Sequence, residues 1–348
     1  MIELSASELF SLDDKVIVDI RSPSEYAHFH IPSAINIPLF EDGEKLLIGY
    51  IYRKEGIERA KQLGYSIANS KLQNLFESFR QLKKNHKYVV VYCWRGGLRS
   101  LELCKALSSL GIEVIRLKGG YRAYREFILQ DMKERLKGIN FIVLTGKTGV
   151  GKSKVLRTLK EDGVPVIDLE DLAQDRGSVF GKVGKKTKVS QKMFDALLYE
   201  NIRSLTGPYA FVEDESRCIG NIHIPDALWK KKEEGVFVEL TNSMENRIRN
   251  ILEEYTLEEG WEEDVRVALG RIKRYLSEKD LVKALDMLEE KRYEELVKFL
   301  IEAHYDKRYK LIRKPLYTVD CTDLERCKVQ LLKIFNAHSK TCLSSSPK

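Results

Sequence analysis

The 348-residue chain has no run of about 18 apolar residues, which excludes a membrane-spanning helix. Its first stretch, MIELSASELFSLDDK, carries acids where a secretory signal needs an apolar core, so the cytoplasm is the expected compartment. The six cysteines (Cys93, Cys104, Cys218, Cys321, Cys327 and Cys342) include no C-x-x-C pair, and no histidines cluster at metal-ligand spacing. A structural zinc is therefore not expected. In a reducing compartment the thiols should stay free, leaving one available as a nucleophile. There is neither an internal repeat nor a low-complexity segment. A hydrophobic share of 43% and a charged share of 32% exclude a wholly disordered chain. The net charge of +7 is a mild basic excess whose placement matters more than its size.

The length predicts two or three domains. Residues 15–20 (KVIVDI) and 88–92 (YVVVY) read as buried parallel strands, followed by a helix over 101–110 and a strand over 113–117. The stretch 41–87 reads as mostly helical and is long for a plain connection. A second start comes at 141–145 (FIVLT), with a helix over 152–160 and strands over 165–167, 209–212 and 235–240. Residues 244–314 are helical and dense in charge of both signs. A last strand (316–319) and helix (323–335) are expected to return to the second sheet. The predicted division is 1–136, then 137–243 with 315–336, a helical insertion over 244–314, and a mobile tail over 337–348. Alternating strands and helices place both halves in the α/β class.

The string YVVVYCWRGGLRS puts Cys93 at the carboxyl end of a strand, with a helix opening near Ser100. Gly96 and Gly97 allow the backbone to turn its N–H groups inward as an anion nest. The helix dipole, with Arg95 and Arg99, favours a thiolate. Upstream, Asp19, Arg21, Glu25-Tyr26, His30-Ile31-Pro32 and Ala34-Ile35-Asn36-Ile37-Pro38 join this loop in resembling the rhodanese family of sulfur-handling domains. Phe29 and Ser33 depart from glycines usual in that family's turn. Five residues separate Cys93 from Arg99, one more than in ordinary sulfur-transferring rhodaneses. Related phosphatases share that spacing, so a phosphatase remains open on this loop alone.

Gly146-Lys147-Thr148-Gly149-Val150-Gly151-Lys152-Ser153 fits G-x-x-x-x-G-K-[ST] between a predicted strand and helix. Gly146, Thr148, Gly149 and Gly151 would bring amides to phosphate oxygens, Lys152 would neutralise terminal charge, and Ser153 would ligate Mg²⁺. Glu213-Asp214-Glu215 follows a strand where a second magnesium carboxylate is expected, with Asp214 and Glu215 as candidates. Arg217 is a further phosphate candidate.

A cysteine nest and a phosphate loop on one chain resemble the tRNA 2-selenouridine synthase family over nearly the full length. The likeness extends to Gly119-Gly120-Tyr121, Asp168-Leu169-Glu170, Arg176-Gly177-Ser178-Val179-Phe180-Gly181, Ser190-Gln191 with Phe194, Asp214-Glu215-Ser216-Arg217, Ile219-Gly220, Pro225, Tyr305-Asp306 and Tyr309. Asp175 stands where the family often has histidine. The resemblance implies a rhodanese-like parallel-sheet domain followed by a P-loop α/β domain with a helical, basic C-terminal region. It also implies a transferase acting on 2-thiouridine at the tRNA wobble position. Geranyl diphosphate would alkylate the sulfur, and selenophosphate would then replace the geranyl thiol by selenium. In this scheme Cys93 is catalytic, either accepting selenium as a perselenide or holding selenophosphate directly; Arg95, Gly96, Gly97, Arg99 and Ser100 cradle selenophosphate, and the phosphate loop with Mg²⁺ holds the prenyl donor. Selenophosphate synthase would be a supplying partner.

Lys182, Lys185, Lys186 and Lys188, with Arg271, Arg274, Tyr305, Arg308 and Tyr309, combine cations for phosphates with aromatics for unpaired bases, the chemistry an anticodon loop requires. Cys104 and Cys218 read as buried small hydrophobes. Two other functions remain open: an ATP-dependent kinase or NTPase carrying a rhodanese-like or phosphatase-like module, and a non-catalytic RNA-binding scaffold.

Overall fold

The structure, a computed structural model, describes the chain except residues 182, 184–187, 256–258, 310, 312 and 345–348, and the side chains of 274 and 341–344. Among the described residues, no helix is long and apolar enough to cross a membrane. The chain divides into two compact units, Met1–Asp131 with Asp195–Tyr199, and Met132–Phe194 with Glu200–Lys348. The helical segment 244–314 belongs to the second unit.

The first unit is built on β1 (Ile2–Leu4), β2 (Lys15–Asp19), β3 (Ile35–Asn36), β4 (Tyr88–Tyr92) and β5 (Ile115–Leu117). They form one parallel sheet in the order β1-β5-β4-β2-β3. The β-branched runs of β2 and β4 are buried because both faces of such a sheet are covered. Val18, Val89, Val91, Phe79 and Leu107 meet in its core. The long connection before β4 is two helices, Asp42–Glu55 and Ile57–Asn85, broken at Gly56 with φ +88°. The helix after β4 begins at Leu98, three residues earlier than the apolar pattern suggested, and places Arg99 and Ser100 in its first turn.

The second unit contains β6 (Asn140–Thr145), β7 (Val166–Ile167), β8 (Tyr209–Glu213), a short hairpin of β9 (Cys218–Ile219) and β10 (Ile222–His223), β11 (Val236–Thr241) and β12 (Tyr317–Asp320). Its main sheet is parallel in the order β12-β11-β6-β8-β7. The central strand β6 feeds the helix Lys152–Glu161, and Ile142, Leu144, Leu156, Phe211 and Val238 form the core. Helices Trp261–Ile272, Glu278–Glu289 and Tyr293–Leu300 share a second core around Leu269, Met287 and Leu296.

Two expectations are corrected here. The tail expected from residue 337 is helical through Ser344, as the end of Leu324–Ser344. His338 anchors that extension, meeting the Tyr317 hydroxyl at 3.3 Å and packing on the Tyr209 ring. The thiols are not all free, because Cys321 and Cys327 are joined as a disulfide. The turn after β12 into the last helix brings their Cα atoms to 4.9 Å, within bridging range.

Candidate active sites

In the first unit, Cys93 ends β4 and is buried, with Sγ 3.2 Å from the hydroxyl of the buried Ser100. Among the described residues, the amides of Arg95, Gly96, Gly97 and Leu98 donate to no backbone carbonyl. Such a row of open donors at a helix N-terminus is an anion cradle. Its back wall is the Gly119-Gly120 turn. A Cβ on Gly120 would stand 2.2 Å from the Cys93 carbonyl oxygen and 2.5 Å from the Gly96 nitrogen, so only glycine lets the two backbones meet. Tyr121 and Arg122 N–H groups donate to the carbonyls of Cys93 and Trp94 and pin the loop. Arg116 donates to the Gly96 carbonyl.

Arg99 pairs with Glu25 at 3.3 Å, and Arg95 is exposed. Burial opposes the Glu25 charge, yet Arg99 and Lys45 hold its carboxyl below the ordinary range. The same unit holds a fully buried ion pair, Arg21–Asp19 at 2.6 Å, with the guanidinium over Phe29 and Tyr121. Cys104 is core, as expected, and burial pushes its thiol up to about 12.

In the second unit, Gly146–Ser153 forms the turn between β6 and its helix. Gly146, Gly149 and Gly151 have φ of +151°, +77° and +103°. A Cβ on Gly149 would lie 2.7 Å from the Arg247 carbonyl, so this glycine admits a neighbouring helix as well as a turn. Lys152 Nζ reaches back to the Gly146 carbonyl at 3.3 Å, and Ser153 donates to Glu170 at 3.2 Å.

The helix Met244–Tyr255 clamps the loop. Arg247 donates to the Thr148 carbonyl and Asn250 to the Gly149 carbonyl, at 2.9 and 3.0 Å. Arg247 also makes a two-point pair with Asp306, which accepts from Lys147 too. The two Arg247 hydrogen bonds outweigh burial and lower the Asp306 pKa. Removing one partner of a buried ion pair costs about 3–5 kcal/mol. Arg247→Met should cost about 2–3 kcal/mol in urea denaturation, because Asp306 keeps Lys147 and is partly exposed. A lowered carboxyl stabilises above its unfolded pKa and loses that contribution as pH falls. The wild-type advantage should therefore hold above pH ~4 and shrink below it; a loss independent of acid would contradict the pairing.

Glu170, Glu213 and Glu215 place one carboxylate oxygen each within 4.8 Å of one another. Burial, then the Glu170 charge, pushes Glu215 up to about 8 and raises Glu213 well above the carboxylate range. One Glu213 oxygen accepts from the Glu170 amide at 2.7 Å, and the other has no hydrogen-bond partner among the described residues. Clustered hard oxygens beside the Ser153 hydroxyl suit a divalent cation such as Mg²⁺. Asp214 lies outside this group and pairs with the buried Lys232 at 2.7 Å. Arg217 pairs with Asp226.

A cavity of about 270 Å³ opens from the phosphate loop. Thr148–Ser153, Glu170, Glu215 and Arg176 line one part. Trp261, Val265, Tyr293, Leu296, Leu300 and Tyr305 line the rest. Arg176 is held by the Val183 and Glu254 carbonyls and lies over the Tyr255 ring.

Two models of known families match the chain. One, described as the tRNA 2-selenouridine synthase AAA domain, matches residues 139–316, and the rhodanese-like domain matches residues 5–127. The chain is 30% identical over 300 residues to the tRNA 2-selenouridine synthase of Marinobacter nauticus, covering 84% of this chain and 80% of that protein. The chain belongs to the tRNA 2-selenouridine synthase family. The Sulfurovum sp. member is 29% identical, covering 86% and 88% of the two chains. That of Bordetella petrii is 35% identical, covering 72% and 67%.

Only part of the nucleic-acid candidate set lies among the described residues. Lys182, Lys185 and Lys186 lie outside the described residues, as does the Arg274 side chain. Lys188 and Arg271 are exposed. Arg308 stacks on the Tyr275 ring at 3.8 Å, and the Tyr309 hydroxyl meets Thr145 Oγ1 at 3.3 Å. Tyr305 lines the cavity beside Phe180, and burial pushes its hydroxyl up to about 12. Cys218 is exposed, contrary to expectation, because the β9–β10 hairpin turns it outward against His223 Nδ1 at 3.2 Å. Asp175 is buried and accepts from the Gly177 amide, with Gly220 packed against its carboxylate.

Proposed function

We propose that the chain replaces the 2-thio sulfur of a wobble uridine in tRNA by selenium, through an S-geranyl intermediate. The observation that carries this reading is the continuous cavity of the second unit. Phosphate-loop amides, Lys152 and carboxylates stand at one end, and hydrocarbon and aromatic side chains form the remainder. That lining suits a diphosphate attached to a prenyl chain.

In the first step the thiocarbonyl sulfur attacks C1 of geranyl diphosphate. The C–S bond forms, the C–O bond breaks with its electron pair on diphosphate, and the base loses its N3 proton. Gly146, Thr148, Gly149, Gly151 and Lys152 oppose the charge developing on the leaving diphosphate. A Mg²⁺ ion held by Ser153, Glu170, Glu213 and Glu215 would neutralise further charge there.

In the second step the cradle receives selenophosphate. Taking selenium alone onto Cys93 would strand phosphorus as phosphite, two electrons below phosphate. We therefore assign Cys93 to phosphorus. The S–P bond forms while the P–Se pair leaves on selenium. Hydrogen selenide attacks C2 of the base, geranyl thiolate departs and takes a proton, and N3 is reprotonated. Water clears the S-phosphoryl cysteine as phosphate. The amides of 95–98, with Arg95 and Arg99, suit the three phosphoryl oxygens, and Ser100 can donate to the departing Cys93 sulfur.

The acidic cluster supplies a test. A carboxyl near pKa 8 is largely protonated at pH 7 and must lose that proton to bind a cation. Mg²⁺ binding should release protons from Glu215 and Glu213 in weak buffer at pH 7 and tighten as pH rises from 6 to 8. Glu215→Gln should reduce the release, leaving the share that comes from Glu213. Proton-neutral binding would contradict the assignment.

The nucleic acid is expected to contact exposed cations such as Lys188 and Arg271, so affinity for anticodon stem-loops should fall with salt. The decisive experiment follows nucleoside products by mass spectrometry with each co-substrate given in turn.

A further inference from the structure

The helices Asp42–Glu55 and Ile57–Asn85 have no task in the chemistry above. They border a groove of about 380 Å³ in the first unit, separate from the phosphate-loop cavity. Its lining is mostly carbon. Ala60, Gly64 and Ala68 recur every fourth residue on one face of the second helix and open space opposite Phe40 and Ile48. Tyr52, Ile57, Tyr65 and Leu98 also line the groove and remain about half exposed, an unusual concentration of apolar surface.

The position of this groove points to its occupant. Leu98 and Arg99 line it, and they are also the fifth and sixth residues after Cys93. The groove therefore begins where the cradle ends. In the two-step reaction, on which this inference rests, the nucleobase comes to the cradle carrying a ten-carbon chain on the sulfur that must leave. Water would solvate that chain poorly, and it needs an apolar seat next to the reacting carbon. We propose that the groove holds the geranyl chain of S-geranyl-2-thiouridine during selenation and guides the geranyl thiol away from Cys93.

The test uses the full-length protein, saturating selenophosphate, and anticodon stem-loops bearing premade S-geranyl- or S-methyl-2-thiouridine. Gly64→Leu fills the groove. Its first carbon would meet Phe40 and Ile48 at 3.6 and 3.9 Å, ordinary contact distances, and the change raises helix propensity. Tyr52→Ser removes part of the rim without touching the core. Each variant should raise KM for the S-geranyl stem-loop by about tenfold. Selenation of the S-methyl stem-loop should be unchanged, which also reports an intact cradle, as should geranyl transfer in the second unit.

Parallel shifts for both stem-loops, or none for either, would overturn the inference. A wild-type preference for the geranyl chain that survives both variants would seat the chain elsewhere and do the same. So would an altered oligomeric state with KM unmoved, which would give the groove to a second copy. A wild-type protein that selenates neither stem-loop would overturn the two-step reading itself. Equal wild-type KM for the two would leave that reading standing and refute only the groove.

Discussion

Cys93→Ser is expected to lower selenation of an S-geranyl stem-loop by about 10³-fold or more, while geranyl transfer stays within about twofold of wild type. The asymmetry follows from placement. Cys93 sits in the first unit at the end of β4, whereas the phosphate loop, Lys152 and the apolar cavity are all in the second. Serine keeps the shape and a hydrogen bond to Ser100 but is a far weaker nucleophile at neutral pH. A second readout separates the chemical alternatives. Wild-type protein quenched with selenophosphate should carry a phosphoryl group on Cys93, without selenium's isotope envelope. Ser100→Ala should accumulate that species if the hydroxyl assists departure of the sulfur. A selenium-bearing cysteine together with free phosphite would refute attack at phosphorus. Equal loss of both steps in Cys93→Ser would refute the division of labour.

Lys152→Ala should do the reverse. Its ammonium folds over the phosphate loop to the Gly146 carbonyl, in position to turn toward an entering diphosphate. Removing one preorganised group opposite developing charge typically costs about 10²–10³-fold. The expected result is a loss of that size in kcat/KM for geranyl diphosphate, with selenation of premade S-geranyl stem-loop unaffected. An unchanged KM and kcat for the prenyl donor, or measurable ATP hydrolysis abolished by the same substitution, would instead favour the nucleotide-hydrolysing reading.

Much of this arrangement was legible because it is local in sequence. The two β-rich runs ending in glycine-containing loops announce parallel strands with anion sites at their carboxyl ends, and both cradles follow from contiguous residues. The acidic cluster was half legible. Glu213, Asp214 and Glu215 leave an extended strand, where alternate side chains face opposite ways. That period sets Glu213 with Glu215 and sends Asp214 to Lys232, a distinction adjacency alone obscures. Glu170 appeared only as part of a family motif, since its approach to Ser153 depends on the turn after β7.

Asp306 likewise appeared only within a family motif, whereas Arg247 and Asn250 were hidden for a different reason. Arg247 and Asn250 lie about a hundred residues beyond the loop they clamp, in a helix whose charges resemble any solvated face. Their only local signal is polar residues three apart on a face that proves buried. Tyr305 was legible as an aromatic but not in its placement. An aromatic among arginines and lysines suits base stacking, yet the helix turn at 301–305 directs it to the cavity wall.

The most direct measurement is a two-stage mass-spectrometric chase on one purified protein and a 2-thiouridine anticodon stem-loop. With geranyl diphosphate alone, S-geranyl-2-thiouridine should accumulate. Adding selenophosphate after the prenyl donor has been removed should convert it to 2-selenouridine with release of geranyl thiol. Selenation of the 2-thiouridine stem-loop at full rate without any prenyl diphosphate would contradict the scheme.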